Sequence, residues 1–372
     1  MDKLLPLIFV FLGALGAAAE KPELLQSIDR FNRPESVVFS LDGKTLFVSN
    51  CASGDFGADG KLVGMVAGQG AISKLSVSEN GHVEVVDIKF IEGLNAPVGT
   101  AVLPKATRKY PAGTLLVNQG ISLLVDEGGH PVRAAELGTG ILFFDPESGR
   151  EIGRINLGAG SLVAGIIGHA ALLPNSLAFD GEGNLYVTDT AKAGNRFDPP
   201  IPENPGLIRI GHGAIDEVSV GARRLSTQPD VTFTPIPGLP NGVGYWEEKS
   251  AICVVTMGGN SPEGTAVYVI AENSFPRRDL PEPLLGDAGT ADGIAFTPAG
   301  TIITSRFAGD LLAIPAQGEP FTLKIPELNA PADHRLLTTP GGFSILAVPE
   351  MARSEPTPWN QRVRIIRIPA GF

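Results

Sequence analysis

Hydrophobic and polar positions in this chain alternate in short runs, and one phrase containing such runs keeps returning. In residues 173–190, LPNSLAFDGEGNLYVTDT, a polar lead of Pro174, Asn175 and Ser176 enters the run Leu177-Ala178-Phe179. The turn Asp180-Gly181-Glu182-Gly183 separates it from a second alternating run, residues 184–188. Period-two runs on either side of a glycine-rich turn predict a β-hairpin. Related phrases open at Arg33, Ala96, Leu239, Ala291 and Pro331, and most are followed by further strand-like runs.

Six copies, each opening a four-stranded antiparallel sheet, predict an all-β fold, a six-bladed β-propeller. After the sixth copy the chain has material for only three strands, while a spare run near Leu24 and Leu25 precedes the first. That N-terminal strand is expected to join the last blade and close the ring, leaving no open sheet edge. Two β-sandwich domains are the alternative, but sandwich sheets have no need of a repeated phrase before each first strand.

Composition adds three points. Glycine (46) and proline (31) make up about a fifth of the 372 residues while 43% are hydrophobic, the mark of a turn-dense folded chain. The net charge of -11 argues against nucleic acid or an anionic membrane as partner, and an acidic surface is more often a solubility feature than a binding one; the expected partner, a small-molecule substrate, rests on the site below. At the N-terminus, Asp2-Lys3, an apolar run over residues 4–15 and Ala17-Ala18-Ala19 describe a secretory signal peptide. Residues 1–19 are read as that signal, with an uncleaved anchor as the alternative. Residues 20–372 are read as one propeller domain, monomeric and secreted or periplasmic. The two cysteines, Cys51 and Cys253, fall in distant blades and are expected to be buried without a disulfide.

In a propeller the first strand of each blade lines the central channel, so the residue just before it sits at one mouth. Reading the copies in order places Glu35, Val98, Asn175, Asn241, Asp292 and Asp333 there. Glu35 and Asp292 bring carboxylates, Asn175 and Asn241 neutral amide oxygens. Hard oxygens with two negative charges suit a divalent cation, Ca2+ before Mg2+. Each residue singly could be a turn cap; four in register point to a metal. Asp333 and its neighbour His334 are candidate substrate contacts, with a water-mediated ligand or a turn residue as the alternatives for Asp333 and a structural role as the alternative for His334.

These phrases, together with Gly70-Ala71-Ile72-Ser73-Lys74-Leu75 and Gly93-Leu94-Asn95-Ala96-Pro97, resemble the gluconolactonase/regucalcin-like (senescence marker protein) family. Its wider relatives include paraoxonases, diisopropyl fluorophosphatase and strictosidine-synthase-like proteins. The resemblance spans the mature chain and implies that Glu35, Asn175, Asn241 and Asp292 bind the metal. It further implies that Asp292 is base or nucleophile. The chain departs from the pattern at Val98, where a lysine is common, and in the stretches after Val117 and Thr190. Regucalcin is not exported.

The reading that results is an exported Ca2+-dependent hydrolase of a lactone or related ester. The alternative is a non-catalytic propeller whose channel metal is structural and whose face binds a small molecule or protein. Other chemistries lack their motifs: Gly259-Asn260-Ser261-Pro262-Glu263 misses the last glycine of a nucleophile elbow, and no His-Glu-x-x-His or Cys-x-x-Cys occurs. Residues 55–60 resemble a calcium loop without its closing glutamate.

Overall fold

The structure is a computed structural model that describes residues 21–52, 64–192, 197, 200–219, 229–258, 265–275, 281–323, 325, 328–339, 343–351, 361–369 and 372. The signal segment, the calcium-loop likeness, the elbow near-miss and part of the stretch after Thr190 lie outside the described residues.

Six four-stranded antiparallel sheets form the blades of the propeller. Their first strands are Pro34–Phe39, Thr100–Val102, Pro174–Phe179, Pro240–Trp246, Ala291–Phe296 and Arg335–Thr338, in blades 1 to 6. The second strands are Thr45–Asn50, Leu115–Gln119, Leu185–Asp189, Ala251–Thr256, Ile302–Arg306 and Ser344–Glu350. First strands touch one another in cyclic order, blade 6 against blade 1 included, so they line the axis. Blade 6 holds both ends of the described chain: Glu23–Phe31 pairs antiparallel with Gln361–Ile368 as its outermost strand.

Burial on both sheet faces explains why the second strands read as nearly continuous apolar runs. Consecutive side chains point to opposite faces. Phe47 therefore packs with Val102, Leu115 and Val117 of blade 2, while Leu46 and Val48 pack with Ile345 and Ala347 of blade 6. Leu116 in turn meets Leu177 and Val187 of blade 3. Each blade-to-blade junction has such a core, and the stability of the ring rests in these junctions rather than within any blade.

Cys51 and Cys253 are buried and form no disulfide, as expected. Two short helices, Leu162–Ile167 and His212–Ser219, were not anticipated from the pattern; the first is capped by Ser161 Oγ, which accepts from Ala164 N, and ends at the left-handed Gly168. A small parallel pair, Met65–Val66 with Leu124–Val125, is also new. Among the described residues no helix is long and apolar enough to cross a membrane.

Candidate metal centre at the channel mouth

Every predicted ligand sits in a β-bulge. In blade 1 the register runs from Pro34 opposite Asn50 to Val37 opposite Val48, so Glu35 and Ser36 together face the single residue Ser49. The same extra residue puts Asn175 and Ser176 opposite Thr188, Asn241 and Gly242 opposite Val255, and Asp292 and Gly293 opposite Ser305. A bulge bends the strand and re-aims a side chain that the regular pleat would direct elsewhere. Proline precedes the bulge in five blades, at Pro34, Pro97, Pro174, Pro240 and Pro331. It is tolerated because the innermost strand is an edge whose outer N–H has no ladder partner.

In blades 1, 2, 3 and 6 the approach to the bulge is clamped by the last residue of the second strand. Asn50 Oδ1 accepts from Asn32 N at 3.0 Å, Gln119 Oε1 from Asn95 N at 3.2 Å, Asp189 Oδ1 from Leu173 N at 2.8 Å and Glu350 Oε1 from Asn329 N at 3.0 Å. Burial pushes the Asp189 carboxyl up to about 6 against these backbone hydrogen bonds. Arg33, Ala96 and Ala330, each just before a proline, have positive φ values of 53°, 49° and 49°. This is a costly conformation for residues with a Cβ, and it recurs at one level of the ring.

Neighbouring bulges are joined all the way round. Ser36 Oγ lies 2.9 Å from Thr100 Oγ1, and Gly99 N donates to Asn175 O at 2.8 Å. Thr188 Oγ1 donates to Asn241 O, and a Cβ on Gly242 would stand 2.2 Å from Asp292 O. A Cβ on Gly293 would stand 2.7 Å from Asp333 Cα, and Asp333 N donates to Glu35 O at 2.8 Å. Residues remote in sequence thus share one level around the axis.

Electrostatics at this level favours a cation. Glu35, Asn175, Asn241 and Asp292 are 3%, 7%, 1% and 1% exposed. The Oδ1 atoms of Asn175 and Asn241 are buried and accept no hydrogen bond. Leaving a buried acceptor unsatisfied costs about 1–3 kcal/mol, which a hard cation at the mouth offsets. Among the described residues no group of three or more His, Cys, Asp or Glu could hold a metal, so a site here depends on its amides.

Two blades differ. In blade 6 Pro331 bridges Glu350 and Arg335 pairs with Ala347, which places Ala332, not Asp333, at the position of Glu35. The sequence reading slipped by one residue there; counting from Pro331, as from Pro34, avoids the slip. In blade 2 the bulge position is Val98, and opposite it stands Asn118, 0% exposed, which sequence reasoning missed. Val98 and Ala332 both belong to an apolar cluster with Met65, Leu173, Phe197 and Met351.

Asp333 occupies the level below the candidate ligands. Its Oδ2 accepts from Ser36 Oγ at 3.0 Å and Ser176 Oγ at 3.1 Å, and its Oδ1 pairs with Arg335 Nη1. Arg335 Nη2 donates to Leu177 O at 3.1 Å. The ion pair therefore spans from blade 6 to blades 1 and 3 across the channel. The His334 ring nitrogens lie 3.3 Å from Ala332 O and 3.1 Å from Ile303 O, and burial holds the imidazole down to about 4. Both residues are fully buried, and the structure joins them to the packing of the channel. Beyond Arg335 the opposite mouth opens into a cavity of about 630 Å³ lined by residues such as Val38, Ala178, Tyr245 and Phe296.

No protein-family model matches the chain, and no curated protein matches it. Solved structures with the same fold include a protein assigned as a gluconolactonase, with TM-score 0.56, 13% identity, and 94% of this chain and 93% of that one covered. A gluconolactonase from Xanthomonas campestris gives 0.51, 14%, 94% and 96%. The PQQ-bound aldose sugar dehydrogenase from Streptomyces coelicolor gives 0.51, 13%, 93% and 97%. The six-blade arrangement is that of gluconolactonases and sugar dehydrogenases alike.

Proposed function

We propose that the protein is an exported Ca2+-dependent hydrolase of lactones or related esters, with its site at the bulged mouth of the channel. The observation that carries this reading is the set of four buried oxygen-bearing side chains in equivalent bulges, two of them amides with no hydrogen bond to Oδ1. The likeness in fold to gluconolactonases supports it.

Glu35, Asn175, Asn241 and Asp292 would hold the cation. A bound Ca2+ supplies Lewis-acid polarisation of a carbonyl oxygen and stabilises the negative charge that develops there. Asp292 has the second task of taking a proton from the water that attacks the acyl carbon. The C–O bond of the ester breaks as the tetrahedral adduct collapses, and the proton returns to the departing alkoxide. The glycines beside the ligands, Gly99, Gly242 and Gly293, let neighbouring strands approach closely enough to share one ion. Val98 and Ala332 offer no donor and join the apolar cluster, which suits the hydrocarbon part of an ester.

A panel of lactones and aryl esters, assayed with and without chelator on wild type and Asp292→Ala, tests the proposal. Turnover abolished in both arms is expected. Turnover indifferent to chelator contradicts it. No turnover on the panel, with a chelator-dependent loss of thermal stability, assigns the ion a structural role in a binding module.

A further inference from the structure

We propose that Asn118 supplies the oxygen of blade 2 to the same cation, so that donors come from five consecutive blades and only blade 6 contributes none. The inference rests on the metal reading above and adds to it a residue from a second strand. Four blades place their donor in the bulge of the first strand, and blade 2 has Val98 there. Asn118 faces that bulge directly: Val98 N donates to Asn118 O at 3.0 Å, and Asn118 N to Gly99 O at 2.9 Å.

Residues at this facing position usually close their own blade. Ser49, Thr188 and Ser305 each use the hydroxyl to accept from the bulge backbone, from Ser36 N, Ser176 N and Gly293 N at 2.9, 3.0 and 2.9 Å. Asn118 is released from that task, because Gly99 N donates across to Asn175 O instead. Its Nδ2 donates to the same carbonyl at 2.9 Å. A carbonyl can only accept, so this contact fixes which end of the amide is nitrogen. The other end, Oδ1, is then left fully buried with no hydrogen-bond donor, in the same state as Asn175 Oδ1 and Asn241 Oδ1. This orphaned amide oxygen, anchored to the backbone of a candidate ligand, is one that a hard cation at the bulge level would satisfy.

The test is calcium titration by calorimetry on the chelator-stripped full chain, comparing wild type, Asn118→Leu and Asn118→Asp. Wild type binds Ca2+, Asn118→Leu binds it about tenfold or more weakly, and Asn118→Asp binds as tightly as wild type or tighter. The aspartate variant separates ligation from positioning: it cannot donate to Asn175 O, yet it presents a stronger oxygen. If both variants weaken binding equally, Asn118 acts only through Asn175 and the inference fails. If Asn118→Leu binds as wild type does, it fails outright. If wild type takes up no divalent cation, the metal reading falls first and this inference with it.

Discussion

Substituting Gly99 by alanine puts a single methyl group where two blades come closest. A Cβ at this position would lie 2.0 Å from Asn175 O and 2.8 Å from Ser176 Cα, both backbone atoms that cannot rotate away. An ordinary carbon–oxygen contact is about 3.3–3.6 Å, so the first strands of blades 2 and 3 must part by roughly 1 Å or more. Parting them breaks the 2.8 Å hydrogen bond from Gly99 N to Asn175 O and shifts the backbone that carries Asn175. Overpacking of this kind costs about 1–3 kcal/mol, and the lost hydrogen bond adds about 1 kcal/mol. Denaturant unfolding of Gly99→Ala in chelator measures that destabilisation, expected at about 2–4 kcal/mol from the two terms together. Calcium titration of the same variant measures the displacement of Asn175 and is expected to show weaker binding. Unchanged stability with unchanged affinity refutes the close-packed bulge ring.

Other outcomes follow from the same geometry. Arg335→Met strands the Asp333 carboxylate in the channel and should destabilise by about 3–5 kcal/mol, with partial recovery in the Asp333→Asn/Arg335→Met pair; a loss under about 1 kcal/mol by thermal unfolding contradicts the cross-channel role. Burial lowers the His334 imidazole from 6.5 to about 4 in the folded chain. The folded state thus binds the proton less well, and its contribution is whole above pH 6.5 and lost as pH falls toward 4, amounting to about 3 kcal/mol. His334→Asn should flatten the stability profile over that window, whereas identical profiles for variant and wild type refute the assignment. Saturating Ca2+ at a hundred times Kd should oppose unfolding by about 2.7 kcal/mol, read as a rise in Tm that chelator reverses. A Tm indifferent to Ca2+ counts against a resident ion.

Much of the architecture was legible because the repeat is a local signal. A proline, a polar residue and an alternating run can be read from neighbours alone, and both-face burial makes each second strand conspicuous. The four candidate ligand positions could be named because each directly follows the first residue of its blade's first strand, Pro34, Pro174, Pro240 or Ala291. Blade 6 differs because its phrase, opening at Pro331, carries Ala332 directly after the proline and the acid Asp333 one residue further on. Asn118 was hidden for a different reason: it ends an apolar run, Leu115-Leu116-Val117, and its relation to Val98 exists only across two strands. The Asp333–Arg335 pair was likewise out of reach, since its partners Ser36 and Ser176 lie 297 and 157 residues away. The two helices, of six and eight residues, are too short for a helical period to stand out.

Crystals soaked in Mn2+ and measured at an anomalous wavelength address the central claim most directly. One peak is expected on the channel axis at the bulged mouth, with the side-chain oxygens of Glu35, Asn175, Asn241 and Asp292 around it. A peak elsewhere, or none with these four side chains hydrogen-bonded to one another instead, contradicts the shared ion and the chemistry built on it.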